Sequence, residues 1–137
     1  MIQKAKFRKL ALFSAEIADS KKALDIQTYD AGSKSTLFYY AVVMSVESGP
    51  QMEAVEEAVE AGFKKSGIYP LHRDGVQSKN WKILDYGGLI IHVFAPQTRE
   101  FYGLDRMYFE YKKIEWGRKA EKTSRKLPGK KAGSRKT

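Results

Sequence analysis

Apolar and polar positions repeat along this chain with two different periods, and the changes of period mark out the elements. From about Lys4 to Lys22, Phe7, Leu10, Ala11, Ser14, Ile17 and Ala18 recur three and four residues apart, while Lys and Arg fill much of the opposite side. That spacing predicts an amphipathic helix. In Ala23–Tyr29 the period drops to two: Leu24, Ile26 and Thr28 alternate with Asp25, Gln27 and Tyr29, as in a half-buried strand. A turn follows at Asp30–Ser33. Leu37–Ser45 is almost continuously aromatic or β-branched and predicts a strand covered on both faces. A helix is expected from Pro50 or Gln51 to Lys65. Its stripe is Met52, Val55, Val59, Gly62 and Phe63, with Ser48 as N-cap and Glu53, Glu56, Glu57 and Glu60 towards water.

The second half is organised around Trp81–Phe94. Two apolar runs, Trp81–Asp85 and Leu89–Phe94, flank Tyr86-Gly87-Gly88 and predict a β-hairpin. Leu84, Leu89, Ile91 and Val93 are assigned to the core. Ile68–Leu71 is expected as a short edge strand, since Pro70 has no N–H to give to a neighbour, and His72–Asn80 as a polar loop. Pro96–Tyr102 predicts a short helix ended by Gly103, and Asp105–Trp116 a further helix. A helical crossover between two strand pairs permits parallel pairing. The fold class is therefore α/β (α+β): a mixed four- to five-stranded sheet with flanking helices.

Charge divides the chain in two. The 137 residues carry a net charge of +9. From Gly117 to Thr137 nine bases stand against one acid, or +8, whereas residues 1–116 hold 16 bases and 15 acids, or +1. One nearly neutral domain over 1–116 and a basic, disordered tail over 117–137 are expected. Arg118, Lys119, Lys122, Arg125, Lys126, Lys130 and Lys131 are its candidate phosphate contacts. No apolar run reaches the ~20 residues of a membrane span, and no secretory signal is read.

Catalytic chemistry is sparse. There is no cysteine, and the two histidines, His72 and His92, lack the spacing of a ligand pair, so no metal or cofactor is expected. No phosphate-binding glycine loop or nucleophile elbow is present. Gly32-Ser33 echoes a nucleotidyltransferase turn, but Leu37–Ser45 lacks the paired carboxylates that would hold the metals. Trp81, Ile83 and Asp85 share one strand face, a mixed surface suited to a protein partner with an aromatic anchor. His92 reads either as a core histidine or as a polar contact within such a face.

A longer pattern runs through these residues: A-L-D-I at Ala23–Ile26, Asp30 with Gly32-Ser33-Lys34-Ser35, Tyr40, Gly67 with Pro70-Leu71, W-K-I-L-D-Y-G at Trp81–Gly87, H-V-F at His92–Phe94, then Arg99, Phe101-Tyr102 and Leu104. It resembles the ribosomal silencing factor family, also called the Iojap or RsfS family, from about Ala23 to Leu104. Tyr39 and Gly88 stand where that family usually has acids, and the basic tail lies outside the shared pattern. The resemblance implies a nucleotidyltransferase-like fold without catalytic function. It implies docking on the large ribosomal subunit, through large-subunit ribosomal protein fourteen, and a steric block to joining of the small subunit. Trp81, Ile83, His92 and Phe94 would form the dock, with Arg99 and Tyr102 at its edge or behind it. The tail would add attraction to rRNA. Alternatives are an assembly factor, or a general RNA-binding module acting through the tail. Bacterial cytoplasm is the expected location, ahead of an organelle matrix, and free copies would pair as a homodimer through the apolar dock.

Overall fold

The computed structural model describes residues 2–74 and 80–117. Helix α1 spans Ile2–Ser20, strand β1 Leu24–Asp30, β2 Tyr40–Ser45 and helix α2 Gly49–Lys64. Strands β3 (His72–Asp74), β4 (Trp81–Asp85) and β5 (Leu89–Phe94) follow, then α3 (Pro96–Tyr102), α4 (Leu104–Met107) and β6 (Lys112–Ile114). They form one mixed sheet in the order β3-β4-β5-β2-β1-β6. β2 and β5 run parallel, with Tyr40 opposite Leu89 and Ser45 opposite Phe94, and the other pairs are antiparallel. The hairpin lies inside the sheet, with the bounds its sequence predicts.

Strand alternation sends side chains into two apolar layers. On one face Val42, Met44, Leu84, Leu89, Ile91 and Val93 pack against α1 and α2. Ala11, Ser14, Ala15 and Ala18 of α1 have no exposed surface, which lets that helix lie close to its neighbours. A Cβ on Gly62 would stand 2.8 Å from Ile17 Cδ1, so the two helices approach closely at that point. Ser48 caps α2 by accepting the Gln51 N–H at 3.1 Å. The Gln51 side chain in turn donates to the carbonyls of Lys21 and Lys22, just past the end of α1. On the opposite face a smaller cluster of Tyr29, Ala41, Val43, Phe94, Leu104 and Tyr108 lies under α3, α4 and the segment after them.

Four expectations are corrected. The sheet has six strands, not four or five. The segment expected as one helix over Asp105–Trp116 splits into α4 and the edge strand β6. Lys112 and Lys113 hide that strand from a hydrophobic pattern, and it is held by the Thr28 hydroxyl on the Ile114 carbonyl and by Trp116 Nε1 on the Ile26 carbonyl at 3.1 Å. The edge strand expected at Ile68–Leu71 begins instead at His72, because pairing with β4 starts only past Pro70, where Leu71 N reaches the Asp85 carbonyl. Glu56 does not face water: its carboxylate lies 3.4 Å from the Lys82 ammonium, whose side chain is 2% exposed.

That pair joins α2 to β4 across an otherwise apolar layer. Removing one member takes a charged partner from the other in a nearly dry site, a loss that typically costs about 3–5 kcal/mol, whereas replacing both by apolar groups is often neutral. Glu56→Ala is therefore expected to lower stability by roughly that amount in urea titration. Glu56→Leu with Lys82→Met is expected to recover most of it. Equal losses in the single and double variants would show that the pair is not what matters there.

Candidate protein-docking groove

The smaller layer builds a groove at the end of the sheet where β4 begins and β5 ends. Trp81 and Ile83 project from β4 on the face away from α1 and α2. Gly103, at φ +62, ends α3 and turns the chain into α4. The α3 residues Gln97, Thr98, Phe101 and Tyr102 face the strand pair across a depression of about 720 Å³, completed by Asp74 and Asn80. Trp81 is half-buried: its ring lies 4.8 Å from Phe94 and 4.7 Å from Tyr102. Tyr102 is 50% exposed and Phe101 79%. Large aromatic surface is thus held open on a supported floor.

Beneath the floor runs a polar chain. Trp81 Nε1 donates to His92 Nδ1 at 3.2 Å. An indole nitrogen can only donate, so Nδ1 must accept and the imidazole proton sits on Nε2. From there it faces the Tyr108 hydroxyl oxygen at 3.3 Å. Burial pushes His92 down to about 4, against a smaller upward pull from Asp105. A protonated ring would also turn a donor towards the Trp81 N–H. Burial, and then the neighbouring Tyr111, push the Tyr108 phenol up to about 12.

Arg99 fixes the helical wall. Its Nε and Nη2 hold both oxygens of Asp105 at 2.8 and 3.2 Å, and its Nη1 donates to the Asp25 carbonyl and to Ser45 Oγ at 2.8 and 2.9 Å. Tyr29 adds a hydroxyl donor to Asp105. Burial alone would raise the Asp105 carboxyl, but the bonds from Arg99 and Tyr29 and the guanidinium charge outweigh it and hold it below the usual carboxylate range. Asp25 lies in the left-handed region at φ +52, beside a bulge in β1, and Arg99 grips it there.

The expected site residues therefore separate by depth. Trp81, Ile83 and Tyr102 line the groove. His92 (4% exposed) and Phe94 (0%) lie beneath it, and Arg99 (7%) is turned away from it towards Asp25, Ser45 and Asp105, so in this structure they support the groove rather than offer contact area. The aromatic resemblance pattern includes Phe101, yet its place on the groove went unread. The spacing Gln97, Thr98, Phe101, Tyr102 on one side of a short helix was the available signal. The seven expected tail contacts, Arg118 to Lys131, lie outside the described residues. Among the described residues no group of His, Asp or Glu is placed to hold a metal ion, and no helix is long and apolar enough to cross a membrane.

His92 sets a pH dependence with a definite sign. Above about pH 6.5 it is neutral folded and unfolded. Between about 6.5 and 4 the unfolded chain takes up a proton that the folded chain refuses, so stability falls as pH falls, by on the order of 3 kcal/mol in all. Below about 4 the folded chain takes up the proton too and the loss levels off. Urea titrations at pH 7 and pH 4.5 should show that His92→Gln loses clearly less stability between the two than the parent chain does. An unchanged difference would remove His92 as its source.

Comparison with known proteins agrees with this architecture. The family model described as ribosomal silencing factor during starvation matches residues 4–137, a longer stretch than the one that carries the resemblance, and one that takes in the basic tail. The ribosomal silencing factor of Zymomonas mobilis is 34% identical over 90 residues, covering 66% of this chain and 68% of that protein. The chloroplastic protein Iojap of Arabidopsis thaliana is 28% identical over 102 residues, 74% of this chain and 42% of that protein. In fold, the chain superposes on a crystal structure of a Chromobacterium violaceum protein with a TM-score of 0.72 at 23% identity, covering 80% of this chain and 91% of the other. With a family model matched from residue 4 onwards, the chain belongs to the ribosomal silencing factor (RsfS) family.

Proposed function

We propose that this protein silences ribosomes by seating its Trp81–Phe101–Tyr102 groove on large-subunit ribosomal protein fourteen, where its body obstructs joining of the small subunit. The family is one of silencing factors rather than enzymes. The observation that carries the reading is the groove itself: an aromatic surface left 50–79% exposed at Tyr102 and Phe101, on a wall that Arg99 locks to the sheet. Aromatic anchors over a rigid base are what binding hot spots are made of. The mechanism is steric and requires no turnover. In this reading the protein works in the bacterial cytoplasm, the basic tail adds salt-dependent attraction to rRNA phosphates, and free copies pair through the same groove.

The test is co-sedimentation with purified large subunits at two salt concentrations. Phe101→Ala trims an exposed side chain and leaves the core whole, so it should lower affinity by roughly tenfold or more without shifting the thermal melt. Deleting residues 118–137 should weaken binding chiefly at low salt and flatten its salt dependence. The groove reading is wrong if tail deletion abolishes binding at both salts while Phe101→Ala binds like the parent.

A further inference from the structure

We propose that the opposite end of the sheet is a second contact surface, one that takes single-stranded RNA through Lys4, Lys34 and Lys112 beside the Phe7–Tyr39 ring pair. The inference rests on the ribosome reading above only for where such RNA is met. The groove lies where β4 starts and β5 ends. This second surface lies where β1 ends and β2 and β5 start, alongside the first turns of α1.

The topology brings three cations from distant parts of the sequence to that corner. Lys4 of α1 reaches Asp30 at 3.4 Å. Lys112 of β6 stands directly opposite Asp30 in the strand pairing, so its side chain leaves the sheet on the same face. Lys34 sits in the turn after β1, where its N–H closes on the Ala31 carbonyl. Lys34 and Lys112 are exposed. Of the acids near the corner, Asp30 is engaged with Lys4 and the Gly32 N–H, and Asp85 with the Gly87 N–H, while Glu110 is exposed in the turn before β6. A phosphate would meet cations and the exposed hydroxyls of Ser33 and Thr36.

Rings lie among these charges. Phe7 and Tyr39, partly buried at the margin of the core, are 6.0 Å apart, and Lys6 Nζ lies 5.8 Å from the centre of the Phe7 ring. Gly88 makes room for this: a Cβ there would stand 2.3 Å from the Phe7 ring. Leu37, 81% exposed, extends the apolar surface. Cations interleaved with aromatic faces bind unpaired bases by stacking while the charges track the backbone. An anionic membrane would need no ring faces, and an acidic protein segment no stacking. β6 runs from Lys112 to Ile114 away from the corner, and Gly117 lies beside Glu16 of α1.

The test uses the full chain, a fluorescent oligouridine of about 12 nucleotides and anisotropy over a salt series. The variant Lys34→Gln with Lys112→Gln is compared with Lys64→Gln and Lys65→Gln, an equal loss of exposed charge at the end of α2. The corner pair should weaken binding several-fold and make the log–log salt slope shallower by about 1.4, from ~0.7 per cation on a single strand. The α2 pair should do much less. Equal effects from both pairs would reduce the corner to net charge, and no effect from the corner pair would place RNA binding elsewhere; either overturns the proposal. The probe holds no ribosomal protein, so neither result bears on the groove.

Discussion

Arg99 is the constraint on which the groove end of this molecule depends. One guanidinium, almost fully buried, gives its donors to Asp105 in the turn of α4, to Ser45 at the end of β2 and to the carbonyl of Asp25 in β1. A buried charge is tolerable only when paired and fully hydrogen-bonded, and here the pairing joins four elements at once. α3 has seven residues and no side-chain cap at its N-terminus. It is too short to hold its place by helical propensity. Tied down by Arg99, it can leave Phe101 and Tyr102 turned outwards. The groove is therefore a product of tertiary locking more than of local sequence.

The same logic separates support from contact. Trp81 is half-buried because its lower edge is committed to Phe94 and its N–H to His92, while its upper edge remains on the surface. His92 stays neutral because a dry, apolar layer penalises its charge and because its Nδ1 has a donor facing it. What the sheet achieves is a stiff base for a few large side chains. The proposed steric role needs that much and no catalytic group.

Much of this was legible in sequence. The hairpin Trp81–Phe94 and helix α3 have the bounds that pattern and punctuation predict, because Gly87-Gly88 divides the two strands and Pro96 and Gly103 bracket the helix. β6 was not legible: two of its three residues are lysines, and it exists through Thr28 and Trp116, whose partners are some 90 residues away in sequence. Nor was the burial of Glu56, since an acid at a helix position reads as solvated until Lys82 is placed under it. For the site, strand alternation led to Trp81 and Ile83, and the resemblance added Tyr102. They could not rank depth, so His92 and Phe94 were grouped with the contact surface and Arg99 was left between its edge and its support. Alternation gives the face of a strand but not what else covers that face.

The central claim is that Phe101 and its neighbours meet a ribosomal protein directly. A photo-crosslinking residue placed at position 101, irradiated on purified large subunits and analysed by mass spectrometry, tests it without loss of any buried group. The account predicts an adduct with large-subunit protein fourteen, and none from the same probe at Phe13, which is exposed on the other side of the sheet. An adduct from position 13 together with none from position 101 would contradict it.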